Sequence, residues 1–105
     1  SEPGRPCMVL ARNRRHSRFV RATMVAAKVL ESKQCWELAA ELYEAALDRD
    51  PHAERLYRRL MISLRNAGQS NEAIRAYRRC EQNLRCFGTA PSTATLAIYR
   101  SLLRA

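Results

Sequence analysis

The amino-acid sequence predicts an all-α fold: two helical hairpins stacked in register and closed by a fifth helix. Two observations carry this expectation. Apolar residues return at spacings of three and four along most of the chain, and no stretch alternates apolar and polar residues long enough to argue for a strand. A small–aromatic–small pattern also recurs after 34 positions: Ala39, Tyr43 and Ala46 align with Ala73, Tyr77 and Cys80, and Leu30 aligns with Leu64. Small residues let two helices approach closely, and the ring fills the gap between one hairpin and the next. The turns align too, Lys33-Gln34 with Ala67-Gly68.

The first helix is expected from near Ala11 to Ser32, with Phe19, Val20, Ala22, Thr23, Ala26, Ala27 and Leu30 at helical spacing. Arg12, Arg14, Arg15, Arg18 and Arg21 crowd its first half, where positive charge opposes the helix dipole; this argues for a late start or for a partner that holds them. The second helix is expected from about Cys35 to Asp48, with Trp36, Leu38, Ala39, Leu42, Tyr43, Ala46 and Leu47 forming its apolar face. Asp50-Pro51 reads as a helix start, the carboxylate capping free amides and the proline taking the first turn. The third helix then runs to Asn66 through Leu56, Tyr57, Leu60, Met61 and Leu64, and Gly68 ends it. Ser70 is the expected cap of the fourth helix, which continues through Ile74, Tyr77 and Leu84 to about Phe87. Gly88 stops it, Ser92 caps the fifth, and Leu96, Tyr99, Leu102 and Leu103 form a single stripe suited to closing the end of a stack.

A chain of 105 residues suits one small domain. Residues 1–10 are expected to be a linker or a scar left by cloning, and residues 11–105 the domain. No apolar run approaches the roughly 18 residues that span a bilayer, and Ser1 to Pro6 resembles no signal peptide. The four cysteines, Cys7, Cys35, Cys80 and Cys86, make no C-x-x-C, and His16 and His52 are the only histidines, so neither a metal site nor a disulfide framework is expected. A reduced, cytoplasmic setting follows. Three dispersed glycines form no phosphate loop, and no Ser/His/Asp order or H-E-x-x-H appears, so neither a catalytic residue nor a cofactor is expected. Nineteen Lys plus Arg against ten Asp plus Glu give a net charge of +9, which points to an acidic partner, protein or nucleic acid.

The 34-residue period is that of a tetratricopeptide (TPR) helical hairpin. Beyond it, Pro51 to Leu103 resembles the bacterial transcriptional activator domain, the TPR-like module beside the DNA-binding domain of antibiotic-regulatory-type (SARP) activators. Three features carry the likeness: Asp50-Pro51 before an arginine-rich helix with Leu60-Met61; Gly68 with Ala73, Tyr77 and Arg78-Arg79; and the tail Gly88, Pro91-Ser92, Thr95, Tyr99, Leu102-Leu103, similar to the family ending G-x-x-P-S-x-x-T-x-x-x-Y-x-x-L-L. The resemblance implies a TPR-like right-handed stack and a non-enzymatic role in transcription regulation, with DNA read by a separate upstream domain. Lys33-Gln34 departs from the glycine expected at the first turn, and the four cysteines and the density of arginines are not part of the family pattern.

TPR stacks bind mainly through the concave face, lined by the first helix of each hairpin. In this register that face is expected to show Arg21, Met24, Lys28 and Glu31, then Arg55, Arg58, Ile62, Arg65 and Asn66. The predicted partner-binding set is Arg21, Lys28, Arg55, Arg58, Arg65 and Asn66, suited to an acidic, partly apolar helix, an adjacent domain of the same regulator or another protomer of a homodimer; an arginine fork holds a carboxylate with two hydrogen bonds. The alternative is nonspecific nucleic-acid binding by Arg12 to Arg21, extending onto Arg78-Arg79, which would be strongly salt-dependent. Against both stands the ordinary fate of charged helix faces, which is to be solvated.

Overall fold

The computed structural model describes the backbone of residues 6–104 and the side chains of residues 18–104. Five α-helices follow one another, with no strand among the described residues: α1 (Pro6–Ser32), α2 (Trp36–Arg49), α3 (Glu54–Asn66), α4 (Ser70–Arg85) and α5 (Thr93–Arg104). Consecutive helices pack as antiparallel neighbours, and α5 packs on both α3 and α4. The result is two layers, α1, α3 and α5 in one and α2 and α4 in the other.

The repeat explains the core. Ala39, Tyr43, Ala46, Ala73, Tyr77 and Cys80 are all buried, as are Leu56, Tyr57, Leu60 and Met61 between the hairpins. Tyr77 stacks flat on Tyr99 of α5, ring centroids 3.9 Å apart at 9°. Burial pushes the Cys80 thiol up to about 12, so this cysteine acts as a small apolar filler.

The helix ends repeat as well. Cys35 N–H reaches back to Leu30 C=O and Gln69 N–H to Leu64 C=O, each at 2.8 Å, a Schellman closure that requires a left-handed residue between. Gly68 (φ 79°) supplies it in the second hairpin and Gln34 (φ 60°) in the first. Gln34 therefore occupies a glycine position at a steric cost. Replacing it, Gln34→Gly, is expected to raise stability by a few tenths to about 1 kcal/mol, the relieved strain less glycine's entropy in the unfolded chain. Thermal unfolding checks this; a lower melting temperature than wild type would contradict it.

Several starts differ from the sequence expectation. Helix α1 begins at Pro6, five residues before Ala11; residues 1–5 of the expected linker lie outside the described residues. Asp50 is not an N-cap, since α3 begins at Glu54 after Ala53. Asp50 C=O accepts the Ala53 amide at 3.2 Å instead, so Pro51 sits inside a turn, where its fixed φ fits the second position. The Pro51 carbonyl accepts the Tyr57 hydroxyl at 2.9 Å, which ties that turn to α3. Gln69, not Ser70, takes the N-cap position of α4. Leu38 and Leu103, counted as apolar-face residues, are 52% and 56% exposed, while Leu47 and Leu102 take the core positions on those helices.

Candidate interaction site

Side chains of α1 and α3 meet over the inner layer. Helix phase alone brings Arg21, Met24, Val25 and Lys28 to one side of α1, because residues three and four apart stack vertically. Arg55, exposed at the start of α3, faces them, and the five line a shallow groove of about 250 Å³. Three cations thus surround two apolar side chains, and Val25 is exposed enough to meet a partner directly.

At the C-terminal end of α1, α1 and α3 are joined by a half-buried polar knot. Tyr43 rises from α2 and donates its hydroxyl to Glu31 Oε2 at 2.5 Å. Arg59 of α3 donates to Glu31 Oε1 in a short ion pair. Burial, with the Glu31 carboxylate beside it, pushes the Tyr43 hydroxyl up to about 12, which keeps it a proton donor. Glu31 was expected on the open face; it is half-buried, and its charge is spent inside the fold.

The six predicted residues therefore divide. Arg21, Lys28 and Arg55 share the groove. Arg58 and Arg65 instead turn toward α5, Arg58 donating to Thr95 Oγ1 at 3.2 Å and lying 3.7 Å from Glu54, Arg65 donating to Ser101 Oγ at 3.0 Å. Asn66 is exposed at the last residue of α3 and is not among the groove residues. The repeat told where the inner face lies, but α5 lies against part of it and holds two of its arginines. Sequence reasoning missed Val25, though its place one turn after Arg21 signals it. Of the alternative set, Arg79 is held bidentately by Glu44 at 2.9 Å; Arg18 and Arg78 are exposed, and the side chains of Arg12, Arg14 and Arg15 lie outside the described residues.

The docking of α5 is built around one carboxylate. Glu54, at the first residue of α3, accepts the Ser92 amide at 2.7 Å and the Thr95 hydroxyl in a shorter bond. Ser92 C=O accepts the first helical amide, that of Leu96, at 3.0 Å, which makes Ser92 the N-cap residue as expected. In a capping box a side chain three residues into the helix satisfies the N-cap amide. Here Glu54 does so from another helix, with Thr95 as its guide. Burial alone would raise the Glu54 carboxyl, but hydrogen bonds from Thr95 and Ser92 and the Arg58 charge outweigh it and hold it below the usual carboxylate range.

This arrangement accounts for the tail pattern noted in the sequence, and comparison with known families agrees: a family model, the bacterial transcriptional activator domain, matches residues 2–103. The chain belongs to that family. No curated protein and no solved structure gives a significant match. The protein is thus a transcriptional activator domain of a bacterial regulator, all-helical and TPR-like.

Within the activator domain each tail residue has a task. Gly88 (φ 73°) closes α4, and Thr89 N–H returns to Leu84 C=O at 3.1 Å. Ser92 and Thr95 seat on Glu54, Tyr99 stacks on Tyr77, and Leu102 is buried. Among the described residues of the activator domain, no helix is long and apolar enough to cross a membrane, and no three His, Cys, Asp or Glu side chains gather as a metal site.

Proposed function

We propose that the activator domain is a non-enzymatic interaction module whose α1/α3 groove holds an acidic, partly apolar helix, presented by another domain of the same regulator or by a separate protein. The observation that carries this is the convergence of Arg21, Lys28 and Arg55 around Met24 and Val25. Arginine forks hold carboxylates bidentately, and the apolar pair gives a partner helix somewhere to bury one or two side chains. In this reading DNA is bound by a separate upstream domain, and the regulator works in the bacterial cytoplasm, where its promoters are.

Reversing the three cations together, Arg21→Glu, Lys28→Glu and Arg55→Glu, is expected to weaken binding of a fluorescent acidic amphipathic peptide by at least about tenfold, with wild-type circular dichroism retained. Like-charge juxtaposition then replaces attraction at each of the three positions. Unchanged affinity would remove this groove from consideration. Tight, salt-sensitive binding of duplex DNA by the same chain, with no peptide binding, would favour the nucleic-acid reading instead.

A further inference from the structure

The outer layer carries a charge pattern that the groove does not explain. On α2 the solvent side is Glu37, Glu41, Glu44 and Asp48. One repeat of 34 residues later the same positions on α4 are Asn71, Arg75, Arg78 and Gln82, and Arg85 continues the stripe. All nine are exposed except Glu44, which is half-exposed. The α2 stripe holds no cation and the α4 stripe no carboxylate. A merely solvating surface intersperses the two signs. Here the signs are segregated at the equivalent positions of one repeat; beside the stripes, α4 carries Glu72, which pairs with Arg75 at 2.5 Å, and α2 ends in Arg49.

The two stripes lie side by side. Glu44 and Arg79 join α2 to α4 through two hydrogen bonds of 2.9 Å, and the groove between the helices, about 570 Å³, has Glu44, Glu72, Arg75 and Arg79 on its walls and Leu64 and Ala76 among its lining residues. Because each short turn reverses the chain, α2 and α4 run in the same direction. The outer face is therefore an acidic rail beside a parallel basic rail.

We infer that this face docks on the same face of a second copy. A two-fold axis in the face, parallel to the helices, lays the α2 rail of each protomer over the α4 rail of the other. The other two-fold axis in the face, perpendicular to the helices, lays like over like and is repelled. One closed, isologous arrangement is thus selected by charge alone. A polyanion suits the α4 rail but is repelled by the α2 rail, so a second copy matches more of the face than nucleic acid does. The contact is polar, so it is weak and screened by salt. It uses the opposite layer from the α1/α3 groove and does not depend on that reading.

Sedimentation of the full chain at about 50 mM and about 500 mM salt tests this. The expected result is a concentration-dependent dimer at low salt, with the dissociation constant rising at least about tenfold at high salt. Two charge-reversed variants follow: Glu37→Lys with Glu41→Lys and Asp48→Lys, and Arg75→Glu with Arg78→Glu and Arg85→Glu. Each alone is expected to be monomeric, since both its rails then carry one sign. Mixed in equal amounts they should form a heterodimer, which a variant that had failed to fold could not do. The groove variant carrying Arg21→Glu, Lys28→Glu and Arg55→Glu should dimerise as wild type does. A wild-type chain that stays monomeric at low salt overturns the proposal, as does either variant dimerising alone, a mixture that stays monomeric, or loss of the dimer in the groove variant.

Discussion

Tyr43→Ala is expected to destabilise the domain by about 3–5 kcal/mol, the range for deleting a fully buried aromatic ring. Typical domains hold only about 5–15 kcal/mol against unfolding, so the variant should be partly unfolded at moderate temperature. Two effects add. The ring is fully buried between the hairpins, flanked along α2 by the buried Ala39, Ala40, Ala46 and Leu47, and alanine leaves a cavity that rigid helices close poorly. The hydroxyl also satisfies Glu31, which Arg59 then holds alone in a largely dry site. Tyr43→Phe separates the two effects: it keeps the ring and should cost only about 0.5–1.5 kcal/mol. Urea unfolding followed by circular dichroism measures both. If Tyr43→Ala unfolds within about 1 kcal/mol of wild type, the ring is not the wedge the repeat makes it. Tyr77 occupies the equivalent position but is slightly more open, with its face against Tyr99 rather than a following hairpin, so its loss should be milder.

The features legible in the sequence are those with a period. Ala39, Tyr43, Ala46 and their copies at Ala73, Tyr77 and Cys80 recur because hairpin packing demands them, and all six are buried. The turns were legible through Gly68, and the same backbone appears at Gln34 although the residue type gives no hint of it. Features that depend on a third element were not legible. Asp50-Pro51 has every local mark of a helix start; what wins is the contact of the Pro51 carbonyl with Tyr57, which holds the segment as a turn. Arg58 and Arg65 have the phase of the inner face, but only the position of α5 shows that Thr95 and Ser101 engage them. Leu38 has the spacing of a core residue on α2, yet it is half exposed, while Leu47 on the same helix is buried. Of the candidate site, Arg21, Lys28 and Arg55 followed from helix phase, since their own layer decides where they point.

Glu54→Gln is expected to loosen α5 and to remove the acid dependence of stability that the lowered Glu54 carboxyl implies. The carboxylate accepts from the Ser92 amide and the Thr95 hydroxyl and lies near Arg58. Both donors and Arg58 meet the same oxygen, Oε2; a glutamine carbonyl can still accept there, but it removes the negative charge that all three face. Hydrogen bonds to charged groups contribute about 1.5–3 kcal/mol, so a loss in that range is expected at pH 7. The sign of the pH effect follows from the direction of the shift. The Glu54 carboxyl titrates lower in the folded chain than its ordinary value, so the unfolded chain takes up its proton first on acidification. Its contribution is complete above the unfolded value of about 4.3 and disappears as pH falls through the lower folded value. The stability gap between wild type and Glu54→Gln should therefore be widest near pH 7 and narrow sharply by about pH 3. Urea unfolding at both pH values measures the gap, and amide exchange locates it: protection should fall first in α5, where Leu96, Tyr99 and Leu102 are held against α3 and α4. A gap equally wide at both pH values would mean that the charge of Glu54 contributes nothing and that shape alone seats the last helix.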